Sequence, residues 1–508
     1  MDTEDTRVFQ WLEENQEDSY RLEVRGDVKL ASIFMVPKTM KGNDVIYTPQ
    51  VISMGPYHFL KPHLAEMESE KSKIIARAVM SKLPPHFFTP LQIIRQGGGL
   101  SYLQEDNFFG GVIHGARNYY GDAQFLKKLN EETFAMMLFR DASFLLVFLA
   151  HHVANKNGRP YQQQSHSNGG SPFHGLKSGK GLYLDVMKGV IKLENQIPLS
   201  ALKSLHDFIG DPNQRFQDFV AQICSYYSPF WIQPNEDSDL VKKIHPLHCL
   251  HATVYSKSRK AVGQRPTNGW FPFTWFKNHS LCLRRNSSNR NSKRVYKKKQ
   301  DPSRLFGSNV HPSALRLSKA GVKFRHYEGG IEQIRFDKAQ STLYLPLLKI
   351  GIMTETIIRN LIVFELCSSE SEENAVTSFA RLLEELTVDA KDAELLRRNG
   401  ILVNWVGGDD KMVEIVKSLS SSTWKPYFKP VNDARSSLKT YCSTRTWKIL
   451  WSEFLDTYCS KPWVLISAVA AAVLLVMTGL QVLCLFYTCN KNAEIICSVY
   501  HNQIVKLL

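Results

Sequence analysis

The longest stretch without a charged residue lies near the end of the chain, at Pro462–Asn490, although charged residues make up 22% of the sequence. Its apolar part has 25 residues and runs from Trp463 to Tyr487, which gives about 37 Å of α-helix. A bilayer core of about 30 Å needs roughly 20 such residues, and terminal Trp and Tyr are typical of membrane interfaces. We therefore predict one transmembrane helix over residues 462–488. A buried core helix is the alternative, but such helices rarely run this long without a charge.

The sequence also lacks the patterns of a disulfide or zinc protein and of a secretory signal. Its nine cysteines contain no C-x-x-C pair, and their odd number and wide scatter favour reduced thiols. Residues 1–30 form an acidic polar leader, whereas a secretory signal has a basic start and an apolar run. We therefore predict a cytosolic body and a short outside tail at 489–508, in the plasma membrane or an endomembrane.

Known catalytic motifs are missing as well. There is no Gly-x-Ser-x-Gly, His-Glu-x-x-His or dinucleotide-binding pattern. Gly175–Gly181 is one residue too short between its glycines for a phosphate loop, and it ends without the hydroxyl residue. His245, His248 and His251 occur in steps of three, which turn by about 60° each on a helix, so three fit one metal poorly. We predict no catalytic residue, no cofactor and no metal, and interpret these histidines as core or surface residues.

The formal net charge of +15 is concentrated in one short segment. Residues 284–299 contain eight bases and no acid, namely Arg284, Arg285, Arg290, Lys293, Arg294, Lys297, Lys298 and Lys299. Three interpretations remain open: a solvated loop, contact with an anionic lipid surface, and nuclear import or nucleic-acid binding. Tyr296 is the only aromatic residue in the run, which gives base stacking little support. We do not expect nucleic acid as a partner.

Two apolar segments carry charged or polar residues that need a reason. Residues 133–150 are strongly apolar but contain Arg140 and Asp141 in the middle, which is expensive in lipid. We predict a core helix with a structural ion pair rather than a second span. Glu194, Asn195 and Gln196 precede Ile197-Pro198, and we interpret them as satisfying backbone groups; binding a ligand is the alternative.

A narrow apolar face precedes the predicted span. It consists of residues at positions i, i+3, i+4, i+7, i+8 and i+11, namely Trp447, Leu450, Trp451, Phe454, Leu455 and Tyr458. Such a face suits a helix that lies in the headgroup layer. A helix that docks on the main domain is the alternative. We expect Trp447, Trp451 and Tyr458, together with Trp463 and Tyr487, to contact the membrane.

The pattern as a whole predicts a mainly α protein with minor β (α+β): a helical globular body, a juxtamembrane amphipathic helix and one C-terminal transmembrane helix. Helices are predicted at 64–75, 133–150, 185–198, 241–255, 354–367, 372–387, 389–399 and 409–419. A strand pair or extended edge is predicted around the proline of 342–350. The predicted divisions are the leader 1–30, a domain 31–420 with flexible insertions near 154–181 and 256–303, a juxtamembrane segment 421–461, the span 462–488 and the tail 489–508.

Several blocks in this order resemble one known family, the plant membrane proteins with domain of unknown function 247. The blocks are Tyr47–His58, Met67-Glu-x-x-Lys71, Asp141–Leu146, Leu193–Pro198, Ala320–Phe324, Arg359–Glu365 and Pro462-Trp463. They cover roughly residues 31–488. The sequence departs from the family at Ala142, where glycine is usual. The resemblance implies a single-span plant membrane protein without an established enzymatic activity.

These observations favour a membrane-anchored interaction or recognition and signalling module, with membrane lipid and a protein as its partners. The alternative is an enzyme of unrecognised type, such as a hydrolase, on the same membrane-tethered helical scaffold. A deep pocket with converging titratable side chains would favour the enzyme.

Overall fold

The computed structural model describes residues 32–83 without residue 43, 115–121, 129–156, 179–210, 214–232, 238–255, 313–368, 374–419, 428–454 and 462–507, and also Phe87, Phe108, Phe109 and Leu126. The acidic leader, the basic run 284–299 and most of both predicted insertions lie outside these residues. The chain forms two compact units. We call residues up to 315 and 322–439 the body, and residues 316–321 and 440–508 the C-terminal unit.

The described part of the chain is mainly helical with a few short strands, as the sequence predicts. Its α-helices are α1 (Asp44–Tyr47), α2 (Ala65–Ala78), α3 (Glu131–Lys156), α4 (Gly179–Ile191), α5 (Leu199–Ile209), α6 (Phe216–Tyr227), α7 (Pro246–Tyr255), α8 (Ala314–Lys319), α9 (Thr354–Cys367), α10 (Ala375–Leu386), α11 (Ala390–Arg398), α12 (Asp409–Leu419), α13 (Lys429–Ser443), α14 (Thr446–Phe454) and α15 (Pro462–Leu507). The strands are β1 (Lys323–Tyr327), β2 (Arg335–Asp337), β3 (Thr342–Pro346), β4 (Leu348–Ile350) and β5 (Leu402–Asn404).

Helix α3 is the main core helix of the body. It packs against α2, α5 and α6, and Phe134, Phe144 and Phe148 on it are fully buried. Burying one such ring stabilises the fold by roughly 1.5–3 kcal/mol. The 21-residue segment Glu131–His151 is long and apolar enough to cross a membrane, but 78% of its 18-residue apolar window is buried within the protein. The prediction of a core helix is therefore confirmed, although α3 continues to Lys156 and into the predicted insertion.

The strands form two small sheets. In the first, β3 is the central strand, parallel to β1 and antiparallel to β2; in the second, β4 runs parallel to β5. The predicted strands at 342–350 exist, but they do not pair with each other, and β3 is not an edge strand. Pro346 lacks an N–H and ends β3, so after Leu347 the chain leaves one sheet and enters the other.

Helices α9–α12 confirm the four helices predicted between 354 and 419, with bounds shifted by at most three residues. The start of α11 is fixed by a capping box, in which the Asp389 carboxylate accepts hydrogen bonds from the N–H groups of Lys391 and Asp392. The Asp392 carboxylate in turn accepts from the N–H of Asp389. Each satisfied N–H group removes an unpaired donor from the first helical turn.

Two predicted helices differ from the structure at their ends. The predicted helix 241–255 is an α-helix only from Pro246, and residues 241–242 belong to a separate 3-10 helix, Ser238–Lys242. Proline suits the first position of an α-helix, where its missing N–H has no intrahelical partner. The predicted helix 185–198 ends at Ile191 and is followed by a separate 3-10 turn, Leu193–Asn195. That turn directs three consecutive polar side chains into the body.

Gly55 lies where two chain segments nearly touch. Its φ of +73° falls in the left-handed region that favours glycine. A Cβ atom at this position would stand 2.6 Å from the carbonyl oxygen of Gln196 and 3.2 Å from the hydroxyl oxygen of Tyr120. The contact therefore requires glycine for both its backbone conformation and its small size.

The C-terminal unit contains the end of α13, helix α14 and the long helix α15. Helix α15 has 46 residues and is therefore about 69 Å long. It begins at the predicted start of the span and continues without a break through residues 489–507, the segment predicted as a separate tail. The predicted span is the first part of a much longer helix.

Candidate functional site

One group of charged and polar side chains in the described part of the body surrounds Glu194. We call Lys41, His58, Lys61 and Glu194 the polar centre. The Glu194 carboxylate accepts a hydrogen bond from Nε2 of His58 at 3.0 Å and contacts Nζ of Lys41 at 2.6 Å. It also accepts from the N–H of Val36 at 2.8 Å. Nδ1 of His58 lies 2.9 Å from Nζ of Lys61, so His58 connects a carboxylate to an ammonium group.

Burial and hydrogen bonding act in opposite directions on Glu194. Burial raises the pKa of this carboxyl group, but hydrogen bonds from His58 and Lys41 and the charge of Lys41 outweigh it. The net pKa lies below its ordinary value, and Glu194 is a carboxylate at neutral pH. Burial also lowers the pKa of His58, against the opposing effect of its hydrogen bond to Glu194. His58 is therefore neutral, and its ring accepts from Lys61 while it donates to Glu194.

The next two polar residues hold other backbone segments. Oδ1 of Asn195 accepts from the N–H of Met54, while its amide nitrogen donates to the carbonyl oxygens of Ile52 and Gly189. The amide nitrogen of Gln196 donates to the carbonyl oxygens of Val190 and Lys192, and its oxygen accepts from the N–H of Leu247.

All three side chains of the Glu-Asn-Gln motif are buried. The interpretation that they satisfy backbone groups is confirmed. No local pattern indicates, however, that most of their partners lie in distant segments.

A second buried cluster lies between α2 and α3. Nζ of Lys71 is 2.6 Å from Oδ1 of Asp141 and 2.6 Å from Oε1 of Glu68, and it also donates to the carbonyl oxygen of Ser53. Arg140 pairs with Glu68 at 3.2 Å. The predicted ion pair of Asp141 is confirmed, and its partner is Lys71 on the neighbouring helix rather than the adjacent Arg140.

Burial is the largest influence on the pKa of Asp141. Burial raises its pKa to about 6, although the positive charge of Lys71 and a hydrogen bond from the N–H of Gly55 lower it. The carboxylate thus joins α3 to the α2 helix and to the Gly55 turn. The Gly55 turn and Lys71, from two other parts of the sequence, both contact the Asp141 carboxylate.

Two polar residues of α9 extend this pattern across the body. Oδ1 of Asn360 accepts from the N–H of Leu193, and its amide nitrogen donates to the carbonyl oxygen of Ile46. Glu365 accepts from the N–H groups of Val376 and Thr377 at 2.8 Å each and lies 2.9 Å from Nε2 of His251. Both side chains have no exposed surface.

The histidines at the start of α7 and within it, His245, His248 and His251, are core residues. The rings of His245, His248 and His251 each contact the ring of Phe364 at centroid distances of 5.1–5.4 Å. Nδ1 of His245 accepts from the N–H of His248, so its Nε2 carries the proton and donates to the carbonyl oxygen of Ser32. Among the described residues, no group of three or more His, Cys, Asp or Glu side chains could hold a metal ion.

The central side chains of these clusters are enclosed by the body. The Lys61–His58–Glu194 chain has the order of an acid–base relay, but His58 and Glu194 have no exposed surface. A general base must come within hydrogen-bond distance of the proton that it removes. A substrate would reach these atoms only if the surrounding segments separated. The buried charges instead connect segments that are far apart in the sequence.

The C-terminal unit presents the opposite situation, with large apolar side chains exposed. None of the segment Val469–Phe486 is buried, and Trp463 at the start of α15 is 80% exposed. On α14, Trp447 is 77% and Trp451 is 55% exposed, while Ile449 on the other side is buried. Tyr458 and the basic residues 284–299 lie outside the described residues, and so does the side chain of Tyr487.

Most of the charged partners in the two buried clusters could not be predicted from the sequence. Lys41, His58 and Lys61 were not predicted as a group, because no local pattern connects them to Glu194. Lys71 carried a readable signal, since it falls on the apolar stripe of α2 with Met67, Ile74 and Ile75. A lysine on a buried stripe indicates a buried acidic partner.

The Lys71–Asp141 pair leads to a stability prediction. We expect Asp141→Asn to lower the free energy of unfolding by about 3 kcal/mol, because it leaves a buried lysine without its main partner. Lys71→Met costs less, since Asp141 becomes protonated readily. The double variant is expected to lose about 2 kcal/mol less than the sum of the single losses. Urea denaturation of the full chain measures these values.

The exposed pair Lys203–Asp207, also 2.6 Å apart, provides the matched control. Because both side chains are more than half exposed, the cycle Lys203→Met and Asp207→Asn should give a coupling energy below about 1 kcal/mol. Equal coupling energies for the two pairs would contradict the interpretation of Lys71–Asp141 as a buried structural connection.

The buried histidines predict a loss of stability in acid. Burial lowers the pKa of His245 to about 3 and of His248 to about 2, so below about pH 6.5 the unfolded chain binds more protons than the native one. Each histidine then costs about 1.4 kcal/mol per pH unit. Asp141 acts in the opposite direction between about pH 6 and 4, because its pKa is raised in the folded state. Two histidines outweigh this single carboxylate.

We therefore expect the free energy of unfolding to fall between pH 7 and pH 5. His248→Asn should make this fall less steep by about 1.4 kcal/mol per pH unit, which corresponds to one bound proton. A loss of stability that does not depend on pH leaves this slope unchanged. Denaturation midpoints at a series of pH values measure the slope. A free energy of unfolding that rises steadily on acidification would rule out neutral buried histidines.

Comparison with known proteins agrees with the family resemblance seen in the sequence. A family model described as "Plant protein of unknown function" (DUF247) matches residues 33–477. The chain is 23% identical to the putative UPF0481 protein At3g02645 of Arabidopsis thaliana, over 90% of each chain. It is 22% identical to UPF0481 protein At3g47200 of the same plant, over 88% of this chain and 85% of the other. No solved structure matches. The chain belongs to the DUF247 family of plant proteins.

Proposed function

We propose that this protein is anchored in a membrane by one span, the first part of α15, and that its body is an interaction module. The proposal rests on the exposure of Val469–Phe486, of which no residue is buried. Leu474, Leu475 and Phe486 are 67%, 74% and 72% exposed. At roughly 25 cal/mol per Å² of apolar surface, such a helix is far more stable in lipid than in water.

Two hydroxyl side chains in the proposed span, those of Ser467 and Thr478, are also suited to lipid. The hydroxyl of Ser467 donates to the carbonyl oxygen of Trp463 at 2.8 Å, and that of Thr478 donates to the carbonyl oxygen of Leu474 at 2.7 Å. Polar groups in a bilayer core must find partners within the protein. Here both hydroxyl groups bond to their own helix.

The comparison between α3 and α15 gives further support. Both contain a segment long and apolar enough to cross a membrane. The segment in α3 contains Arg140 and Asp141, and partner helices cover it. Pro462–Asn490 contains no charge. The same hydrophobic effect thus directs one helix into the body and the other towards a bilayer.

Binding rather than catalysis is the function that we propose for the body. Its clustered titratable groups are buried and are used to join segments, as described for Glu194 and Asp141. A stable scaffold of this kind presents its surface and loops to a partner.

The membrane anchor can be tested by placing charges within the span. We expect the full-length protein in plant cells to stay in the membrane pellet after an alkaline carbonate wash. Val473→Arg with Leu480→Asp should move it to the supernatant, because each charge at the centre of a span costs about 2.5–3.5 kcal/mol. Immunoblotting of the two fractions measures the outcome.

The matched control places the same two charges further along the same helix, as Ile495→Arg with Val499→Asp. Both positions are exposed and lie beyond the charge-free segment, so this variant should remain in the pellet. The anchor proposal fails if both double variants, and a deletion of residues 462–488, pellet like the natural chain.

Orientation is tested by N-glycosylation. The body contains two acceptor sequences, Asn278-His-Ser280 and Asn286-Ser-Ser288, and Ile504→Thr creates a third at Asn502. With the body in the cytosol, we expect no glycan on the natural chain and one on the Ile504→Thr chain. A mobility shift on glycosidase treatment reports each glycan.

Adding Gln503→Pro to Ile504→Thr provides the control, because proline in the middle position destroys the acceptor sequence. The new glycan should then disappear. Glycans on the natural body sequences and none at Asn502 would show the reverse orientation.

A further inference from the structure

One side of α14 combines two exposed indole rings with one basic side chain, Lys448. Trp447 and Trp451 are one turn apart, and so are Lys448 and Ser452, so the four residues occupy adjacent columns of the helix. Ile449, on the opposite side, is buried. Because Ile449 is packed against the protein, the side of α14 with Trp447 and Trp451 is the exposed one.

Together with one residue of α8, this side forms an open cleft of about 380 Å³. Its lining residues are Lys319, Trp447, Lys448, Trp451 and Ser452. The volume lies at the lower end of the range for small-molecule sites, about 300–1,000 Å³. Among the side chains that the structure describes, the lining of the cleft has two ammonium groups, two indole rings and one hydroxyl, and no carboxylate.

We propose that this cleft binds the phosphate-bearing headgroup of an anionic phospholipid in the membrane that holds α15. Ammonium groups bind phosphate as point charges. Indole rings are enriched at the depth of the headgroups, with their apolar faces towards the acyl chains. The Ser452 hydroxyl can donate a further hydrogen bond to a phosphate oxygen. The inference rests on the membrane anchor proposed above.

Chain connectivity brings the cleft to the lipid. From Phe454 to Pro462 there are eight residue steps, which extend to at most about 28 Å. Helix α14 therefore stays near the bilayer surface at the point where α15 enters. A partner of another kind would have to compete with lipid that is always within reach.

The charge of this region favours an anionic lipid over a neutral one. Residues 316–321 and 440–461 contain five bases, Arg316, Lys319, Arg445, Lys448 and Lys461, against two acids, Glu453 and Asp456. Each base near an anionic membrane surface contributes roughly 1 kcal/mol. The two cleft lysines together account for about a thirtyfold difference in affinity, which is ~2 kcal/mol.

The test uses the full-length protein in neutral detergent with a fluorescent phosphatidylserine as the probe. Fluorescence anisotropy reports binding, and unlabelled phosphatidylserine, phosphatidylcholine and glycerol 3-phosphate serve as competitors. We expect phosphatidylserine to compete best. Lys319→Gln with Lys448→Gln should weaken phosphatidylserine binding about thirtyfold. Phosphatidylcholine binding should weaken much less, because the choline ammonium already neutralises the charge of that lipid's phosphate.

Lys417→Gln with Lys439→Gln is the matched control, because it removes the same charge from two exposed lysines of the body. It should bind phosphatidylserine like the natural chain. Trp447→Leu with Trp451→Leu should weaken binding of both lipids. Equal thermal unfolding temperatures for the variants would show that the fold is intact.

Three results would overturn the proposal. The first is natural affinity in the Lys319→Gln, Lys448→Gln variant. The second is a loss of binding that follows replacement of the eight bases at 284–299 instead. The third is glycerol 3-phosphate competing as well as phosphatidylserine, which would identify a site for soluble phosphates.

The carbonate wash separates this proposal from the anchor on which it rests. If the natural chain resists the wash but shows no preference for phosphatidylserine, only the headgroup site is wrong. If the natural chain is washed off, both proposals are wrong.

Discussion

The fold of the body depends on charged side chains that are buried away from water. A buried carboxylate is tolerated only when hydrogen bonds and opposite charges compensate for its lost hydration. Glu194 meets this condition with partners from Val36, Lys41 and His58, which precede it by more than 130 residues. The carboxylate and the N-terminal part of the body are therefore buried together. One side chain thereby imposes the relative position of two distant segments.

The same need for buried partners applies to Asp141 and Asn360 in the core. Asp141 joins α3 to α2 and to the Gly55 turn, while Asn360 joins α9 to the Leu193–Asn195 turn. These connections are directional, and apolar packing alone is not. A helical body with short sheets has many ways to pack its apolar faces, and the buried polar side chains select one of them.

Much of the fold could be predicted from local patterns. The periodicity of residues 354–419 predicted four helices, and two charges in the middle of 133–150 distinguished a core helix from a span. Local patterns could not predict that β3 and β4 belong to different sheets, because strand pairing depends on distant partners such as β5. The polar centre was missed for the same reason, since Lys41 and Glu194 carry no shared periodicity. Lys71 shows that one residue out of place on an apolar stripe can still indicate such a site.

The length of α15 has a mechanical consequence. An α-helix is stiff over this distance, and transmembrane helices tilt by about 20° on average, more when the bilayer is thin. At this tilt a rod of about 69 Å moves its far end sideways by roughly 24 Å. In the membrane-anchored arrangement proposed above, a helix of this length, held at its first turn, converts small changes in bilayer thickness into large lateral displacements of its last residues.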